Sequence, residues 1–348
     1  MAAMMPRGLG SAASAARAVS GLAGRSRARA RAASTLASSF EVSGIGLHSG
    51  ASTHVRLHPS NTRGIFFRRV DQPGAQPIEA SIAAVVSTTL STALGDGTLT
   101  VATVEHLMAA LCGLGVRSCT IEVDGPELPL LDGSAALWVD AIRAAGLVPQ
   151  QHDSEADGHA LRLTRPVRVE DGGSWAIALP AASPRLTVGI DFAQHRAIGR
   201  QWASWAPAPL STTASSAAAH SFASSSSAAS FAAEVAPART FALAEQLELM
   251  REQGLIKGGS LDNALVCDAT TGWLNDSGLR YANEPSRHKL LDLMGDLALL
   301  PAHALPCCHV VAFKAGHKLH VELARSIVES VERSTCGRHD GDDAVACS

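Results

Sequence analysis

Between Arg287 and Asp296 the chain reads Arg-His-Lys-Leu-Leu-Asp-Leu-Met-Gly-Asp. On a helical period His288 and Asp292 stand one turn apart on one face and Asp296 follows a turn later, so three groups able to bind or support a metal line one stripe. Leu290, Leu293, Met294 and Leu297 fall on other faces and would hold such a helix against a core. An imidazole and a carboxylate one turn apart suit Zn²⁺, but two ligands do not make a site. Taken by itself, the segment reads first as an exposed i,i+4 ion pair. His106 is the best source of a third ligand because Glu105 precedes it. A ligand and a general base as neighbours suit hydrolysis, since the base must reach a water on the metal without occupying the metal itself. His106, His288 and Asp292 together would leave a fourth position open for that water.

Hydrolysis of an amide or ester also needs a proton for the leaving group and a donor for the oxyanion. Lys314-Ala-Gly-His317 offers an imidazole on a glycine turn, which Asp296 could orient and charge. Thr240, beside Arg239 in an otherwise apolar segment, could donate to a developing oxyanion. Each also reads as an ordinary turn histidine or strand threonine.

These residues need elements to carry them. Alternating segments at Thr53–Leu57, Gly64–Arg69 and Ile82–Thr89 predict strands with one buried face. The run from Thr103 predicts a helix, with Thr103 as cap and Gly113 or Gly115 as stop; its apolar face is Val104, Leu107, Met108 and Leu111. A strand at 119–124 and a helix over Ala136–Gly146 complete an α+β unit. Gln150–Gly158 reads as a linker, after which strands are expected at Ala160–Val169, Trp175–Leu179 and Leu186–Phe192. Residues 211–230 are almost wholly Ser and Ala and are expected to be flexible. A small β-α-β element over 242–268 precedes the 286–300 helix; a strand at 310–314 and a helix near Leu319–Glu332 follow. The second half repeats the strands-then-helices order of the first, and the residues after Ser334 read as a loose tail. The expected boundaries are 1–38 for a leader, 39–152 and 159–333 for two α+β domains, and 334–348 for the tail.

Bulk properties narrow the function classes. The first 38 residues hold six Arg, abundant Ala and Ser, and no acid before Glu41, the composition of an organellar transit peptide. Without those six the chain has 23 basic residues against 32 acidic ones, about −9, which opposes non-specific nucleic-acid binding. No apolar run approaches the roughly 20 residues of a bilayer crossing. Seven cysteines, an odd number with no Cys-x-x-Cys, suit free thiols in a reducing compartment and leave His and carboxylates as the ligands to pursue.

Seven segments carry a resemblance: Ser43-Gly-Ile-Gly-Leu-His-Ser-Gly50, Thr103-Val-Glu-His-Leu107, Asp132-Gly-Ser-Ala135, Ala238-Arg-Thr-Phe241, Gly258-Gly-Ser-Leu-Asp-Asn263, Arg287-His-Lys-Leu-Leu-Asp292 and Lys314-Ala-Gly-His317. In this order they resemble the UDP-3-O-acyl-N-acetylglucosamine deacetylases of lipid A synthesis, over about residues 40–330. The resemblance implies two α/β sandwich domains facing each other with the site between them, and a β-α-β insert in the second that forms an acyl-chain passage. It implies one Zn²⁺ per chain on His106, His288 and Asp292, with Glu105 as base, His317 as acid and Asp296 as its partner. It further implies Thr240 as oxyanion donor, Lys289 as a nearby cation in catalysis and substrate binding, and Phe241 and Thr240 against the sugar nucleotide. The implied partner is the small acylated UDP-sugar, with a monomer expected and a peripheral membrane contact left open. Plant members are organellar, which favours the mitochondrion over the plastid. Two alternatives stay open: a zinc amidase for another acylated amino sugar, and an inactive homologue that only binds a ligand or partner.

Overall fold

Strand Ser52–Pro59 shows how the sequence pattern becomes a layer: Thr53, Val55 and Leu57 are buried while His54 and Arg56 on the alternate positions face out. The computed structural model describes residues 34–150, 161–208 and 226–336. In it, Ser52–Pro59 lies second in a five-stranded sheet ordered Phe40–Ile45, Ser52–Pro59, Ser118–Val123, Gly64–Arg69, Ile78–Glu79. All neighbours are antiparallel except Gly64–Arg69 with Ser118–Val123. A parallel pair requires a crossover connection. Here that crossover carries helix α1, Glu105–Leu114.

The second half builds the same sheet again. Its order is Val167–Asp171, Ser174–Pro180, Cys308–Phe313, Arg185–Phe192, Gly199–Trp205, with Arg185–Phe192 parallel to Cys308–Phe313 and the rest antiparallel. Between the parallel strands run the short helices α3, Ser226–Glu234, and α4, Ala244–Glu252, and then α5, Glu284–Leu297. Each final sheet strand is followed by a closing helix, α2 at Ala136–Ala145 and α6 at His317–Cys336. Helices α5 and α6 lie on the second sheet, α2 packs on Phe40–Ile45, and α1 packs against α5. One continuous core joins the inward residues of both sheets, such as Leu57, Phe67, Val188 and Val310, to the apolar residues that the helices turn inward.

Gly295 sets how closely α1 and α5 meet. A Cβ there would stand 2.1 Å from the Glu105 carbonyl oxygen, so only glycine permits this approach. Helix α1 stops at Gly115, in the left-handed region at φ 81°, as its sequence predicts. Its start differs: the N-cap is Val104, with no side-chain hydrogen bond, while Thr103 sits at φ 58° and its hydroxyl donates to Glu127 Oε1 at 3.0 Å.

Four other expectations change. Ser34–Leu36 pairs with Leu147–Pro149 as a buried strand, so residues 34–36 of the stretch assigned to the leader belong to the fold; residues 1–33 lie outside the described residues. Ser226–Glu234, overlapping the stretch expected to be flexible, is helical because Ala228 and Phe231 bury themselves, the latter over Gly113 of α1; 209–225 lie outside the described residues. Ile82–Thr89 gives only a 3₁₀ turn and the short strand Val85–Ser87. His317 opens helix α6 and does not sit on a free turn. The β-α-β element forms with Phe241–Leu243 parallel to Leu265–Asp268 and α4 between them.

Candidate active site

The contact between α1 and α5 brings the spaced sequence motifs together. His106 on α1, and His288 and Asp292 on α5, are all buried, and their ligand atoms lie within 4.8 Å of one another. His288 Nε2 stands 3.3 Å and His106 Nε2 3.6 Å from Asp292 Oδ1, with the two rings crossing edge-on at 5.0 Å. Three ligand atoms on a tetrahedral ion at about 2.0–2.1 Å would be roughly 3.3–3.4 Å apart. Asp292 Oδ1 is buried with no hydrogen-bond partner among the described residues. A carboxylate oxygen in that state is costly unless something cationic meets it, and the donor set of two nitrogens and one oxygen fits Zn²⁺.

These three side chains are aimed by their neighbours. His288 Nδ1 donates to the Ala238 carbonyl at 3.0 Å, which leaves Nε2 with its lone pair toward Asp292. Burial drives the His288 pKa down to about 3, so the imidazole is neutral and able to ligate. Lys289 Nζ donates to Asp292 Oδ2 at 2.8 Å and lies 5.7 Å from the centre of the Phe241 ring. The Ala238–Phe241 segment is itself pinned: the buried Arg239 guanidinium donates to Glu284, at the start of α5, at 2.9 Å, and the Thr240 amide donates to Gly133 at 2.8 Å.

Beside the trio is a second buried set. Glu105 Oε2 accepts from the Thr92 amide at 3.1 Å, and its Oε1 faces His317 Nε2 at 3.7 Å. His317 Nδ1 donates to Asp296 Oδ2 at 2.8 Å. Burial pushes the Glu105 carboxyl above its ordinary range. Burial pulls the other way on His317, but the charges of Asp296 and Glu105 outweigh it and hold that imidazole up at about 9. Asp296, despite complete burial, is drawn down to about 2 by His317 and His320. A carboxyl with raised proton affinity thus faces an imidazolium whose other nitrogen is fixed, the arrangement of an acid and a base on either side of one small space.

Glu105, His106, His288, Asp292, Asp296 and His317 therefore converge, and Lys289 and Phe241 border them. Thr240 lies in the segment between the Ala238 carbonyl and Phe241, but its hydroxyl makes no hydrogen bond with the histidines or aspartates among the described residues. The family model for UDP-3-O-acyl N-acetylglycosamine deacetylases matches residues 33–329. The chain is 48% identical over 295 residues to the UDP-3-O-acyl-N-acetylglucosamine deacetylase of Trichormus variabilis, covering 84% of this chain and 97% of that protein. The chain belongs to the UDP-3-O-acyl-N-acetylglucosamine deacetylase family. A Thermosynechococcus vestitus member of that name is 48% identical over 297 residues, covering 85% of this chain and 93% of its own. An Arabidopsis thaliana relative, named probable UDP-3-O-acyl-N-acetylglucosamine deacetylase 1, mitochondrial, is 42% identical over 306 residues, covering 84% and 87%.

Sequence reasoning missed two residues of this deacetylase-family site. The Thr92 hydroxyl donates to Asp296 Oδ1 at 2.6 Å and lies 3.2 Å from His317 Nδ1, while its amide holds Glu105. A threonine in a loop gives no signal of that kind. His320 Nδ1 donates to Asp296 Oδ2 at 2.8 Å. Its spacing of three from His317 would have shown it, had the helix been started at His317 and not at Leu319.

Proposed function

We propose that this chain is a zinc-dependent amidase that removes the N-acetyl group of a UDP-linked, 3-O-acylated N-acetylglucosamine, releasing acetate and the free amine, in synthesis of a lipid A-type glycolipid. The observation that carries it is the orphaned Asp292 oxygen facing two imidazole nitrogens at the spacing of a tetrahedral ion, with Glu105 and His317 beside them. His106, His288 and Asp292 would hold the Zn²⁺, one per chain. When bound, the ion supplies a Lewis acid that makes water more acidic and polarises the amide carbonyl.

The chain's own groups move the protons. Glu105 takes a proton from the attacking water, a task its burial-raised proton affinity suits near neutral pH. His317 Nε2 gives a proton to the amine nitrogen as the C–N bond breaks, so that a neutral amine and acetic acid leave, the acid ionising to acetate in water. Asp296, through Nδ1, fixes the ring so that Nε2 faces Glu105. Lys289 and Thr240 are assigned to the polar end of the substrate, and Phe241 to the sugar nucleotide. Helix α4 buries none of its residues and leaves Leu249 58% exposed, which supports the reading of the β-α-β insert as an acyl passage, since each covered CH₂ contributes about 0.8 kcal/mol. The Arg-rich start and the mitochondrial names of the Arabidopsis relatives support import into the mitochondrion. We assign two domains that meet at this site, the first taking in Ser34–Leu36 through its pairing with Leu147–Pro149 and the second running through α6, in a protein that works as a monomer.

Acetate release from the acylated UDP-sugar, abolished by chelation and restored by Zn²⁺, tests the reading. A folded, zinc-loaded protein that releases no acetate would contradict it, and faster turnover of a different acylated amino sugar would redirect it.

A further inference from the structure

Asp296 serves two imidazoles. Its Oδ2 accepts from His317 Nδ1 and from His320 Nδ1, each at 2.8 Å, and its Oδ1 accepts from the Thr92 hydroxyl at 2.6 Å. His320 lies one turn beyond His317 on α6, is fully buried, and holds its ring 6.0 Å from that of His317. Its Nε2 is also buried and has no hydrogen-bond partner among the described residues. The carboxylate can only accept, so His320 Nδ1 carries the proton of that hydrogen bond.

The groups that face His317 come from three helices: Glu105 from α1, Asp292 and Asp296 from α5, and His320 from α6. The three carboxylates all favour the protonated ring. A second N–H on the oxygen that holds His317 opposes them, because it disperses the charge of that oxygen. We infer that His320 is a positioning residue: by sharing Asp296 Oδ2 with His317, it keeps the aspartate fixed and stops it from holding the His317 proton too tightly to pass on. An acid donates well only when its proton affinity is near that of its surroundings. This role rests on His317 acting as the acid in the reaction proposed above.

The sign is fixed. Turnover needs protonated His317 and falls as pH rises through its pKa, so losing the His320 donor raises that pKa and moves the high-pH limb of kcat/KM upward. For His320→Leu the expected move is about 0.4 to 1 pH unit, the worth of one hydrogen bond, with kcat at neutral pH reduced several-fold. His320→Asn, which keeps an N–H on a short side chain, should leave the limb in place. The donor is read separately by ¹⁵N-histidine NMR of the metal-loaded full-length chain, where His320 should carry a proton on Nδ1. A His320 ring whose Nδ1 carries no proton would overturn the inference. So would a His320→Leu protein of lower stability whose limb does not move. Should that variant fail to fold, the spectra of the native chain and the His320→Asn limb still decide. The expected Nδ1 proton in a protein without turnover would reject the reaction and leave the shared carboxylate standing.

Discussion

The two sheets of this protein share one strand order and one parallel pair, yet their equivalent helices carry different cargo. Helix α1, in the crossover of the first sheet, brings a carboxyl and one imidazole in Glu105 and His106; its counterpart α5 brings His288, Asp292 and Asp296. The closing helices differ more. Helix α2 buries Trp138, Val139 and Ile142 and brings no residue to the candidate site, whereas α6 opens with His317 and His320 on Asp296. The outward faces diverge as well: the first sheet shows charged pairs such as Arg56–Glu41 and His54–Asp124, the second an aromatic row of Trp175, Phe313 and Trp202. A repeated fold thus supplies two buried helices that meet, and unequal side chains at their meeting make the chemistry.

That division can be broken from either side. His106→Ala and His288→Ala remove one proposed ligand from each half, and both should lose bound metal together with more than about 10²-fold of turnover, since even a group that only orients a ligand is worth 10–100-fold. Metal analysis checks this, and full retention in either variant would show that the halves do not share the ion. Glu105→Ala should keep the metal and lose about 10²–10⁴-fold in kcat. Metal loss in that variant would make Glu105 a ligand instead.

The spacing of the two helices is the next target. Gly295→Ala puts a Cβ against the Glu105 carbonyl and should cost about 1–3 kcal/mol in denaturant melts, with activity falling as the base is displaced. Gly173→Ala, where a Cβ meets nothing within 4 Å, is the control and should change neither. The His317 charge gives a pH signature in the metal-free protein. With its pKa raised from 6.5 to about 9, His317 contributes stability that is present in full below 6.5 and lost as pH climbs through about 9. Thermal melts across that window should show the loss, and His317→Gln should flatten it. Smallest of all, Arg56→Ala on the outer face of the first sheet should leave denaturant melts essentially unmoved, because both partners of its ion pair are exposed.

Much of this was legible because helices and strands impose a period. The stripe of His288, Asp292 and Asp296 follows from helical spacing alone, and the alternation of Ser52–Pro59 and Arg185–Phe192 marks strands with one buried face. What the period does not encode was harder to see. Ser34–Leu36 is too short to show a pattern within basic, Ala-rich surroundings, and its strand exists because Leu147–Pro149 pairs with it. Ser226–Glu234 lacks an apolar stripe beyond Ala228 and Phe231, so its helix depends on the space left by Gly113. Gly199–Trp205 alternates as well, with Ala203 and Trp205 inward, though the reading of strands stopped at Phe192. Thr92 reaches Asp296 from 204 positions away, a contact no local pattern announces.

The central claim is that both halves hold one ion between them. Anomalous diffraction at the zinc edge, from crystals of the full-length chain grown with Zn²⁺, tests it most directly. The account predicts a single strong peak bounded by Nε2 of His106, Nε2 of His288 and Oδ1 of Asp292. A peak ligated from one half alone, or no peak at that point in a folded protein, would contradict it.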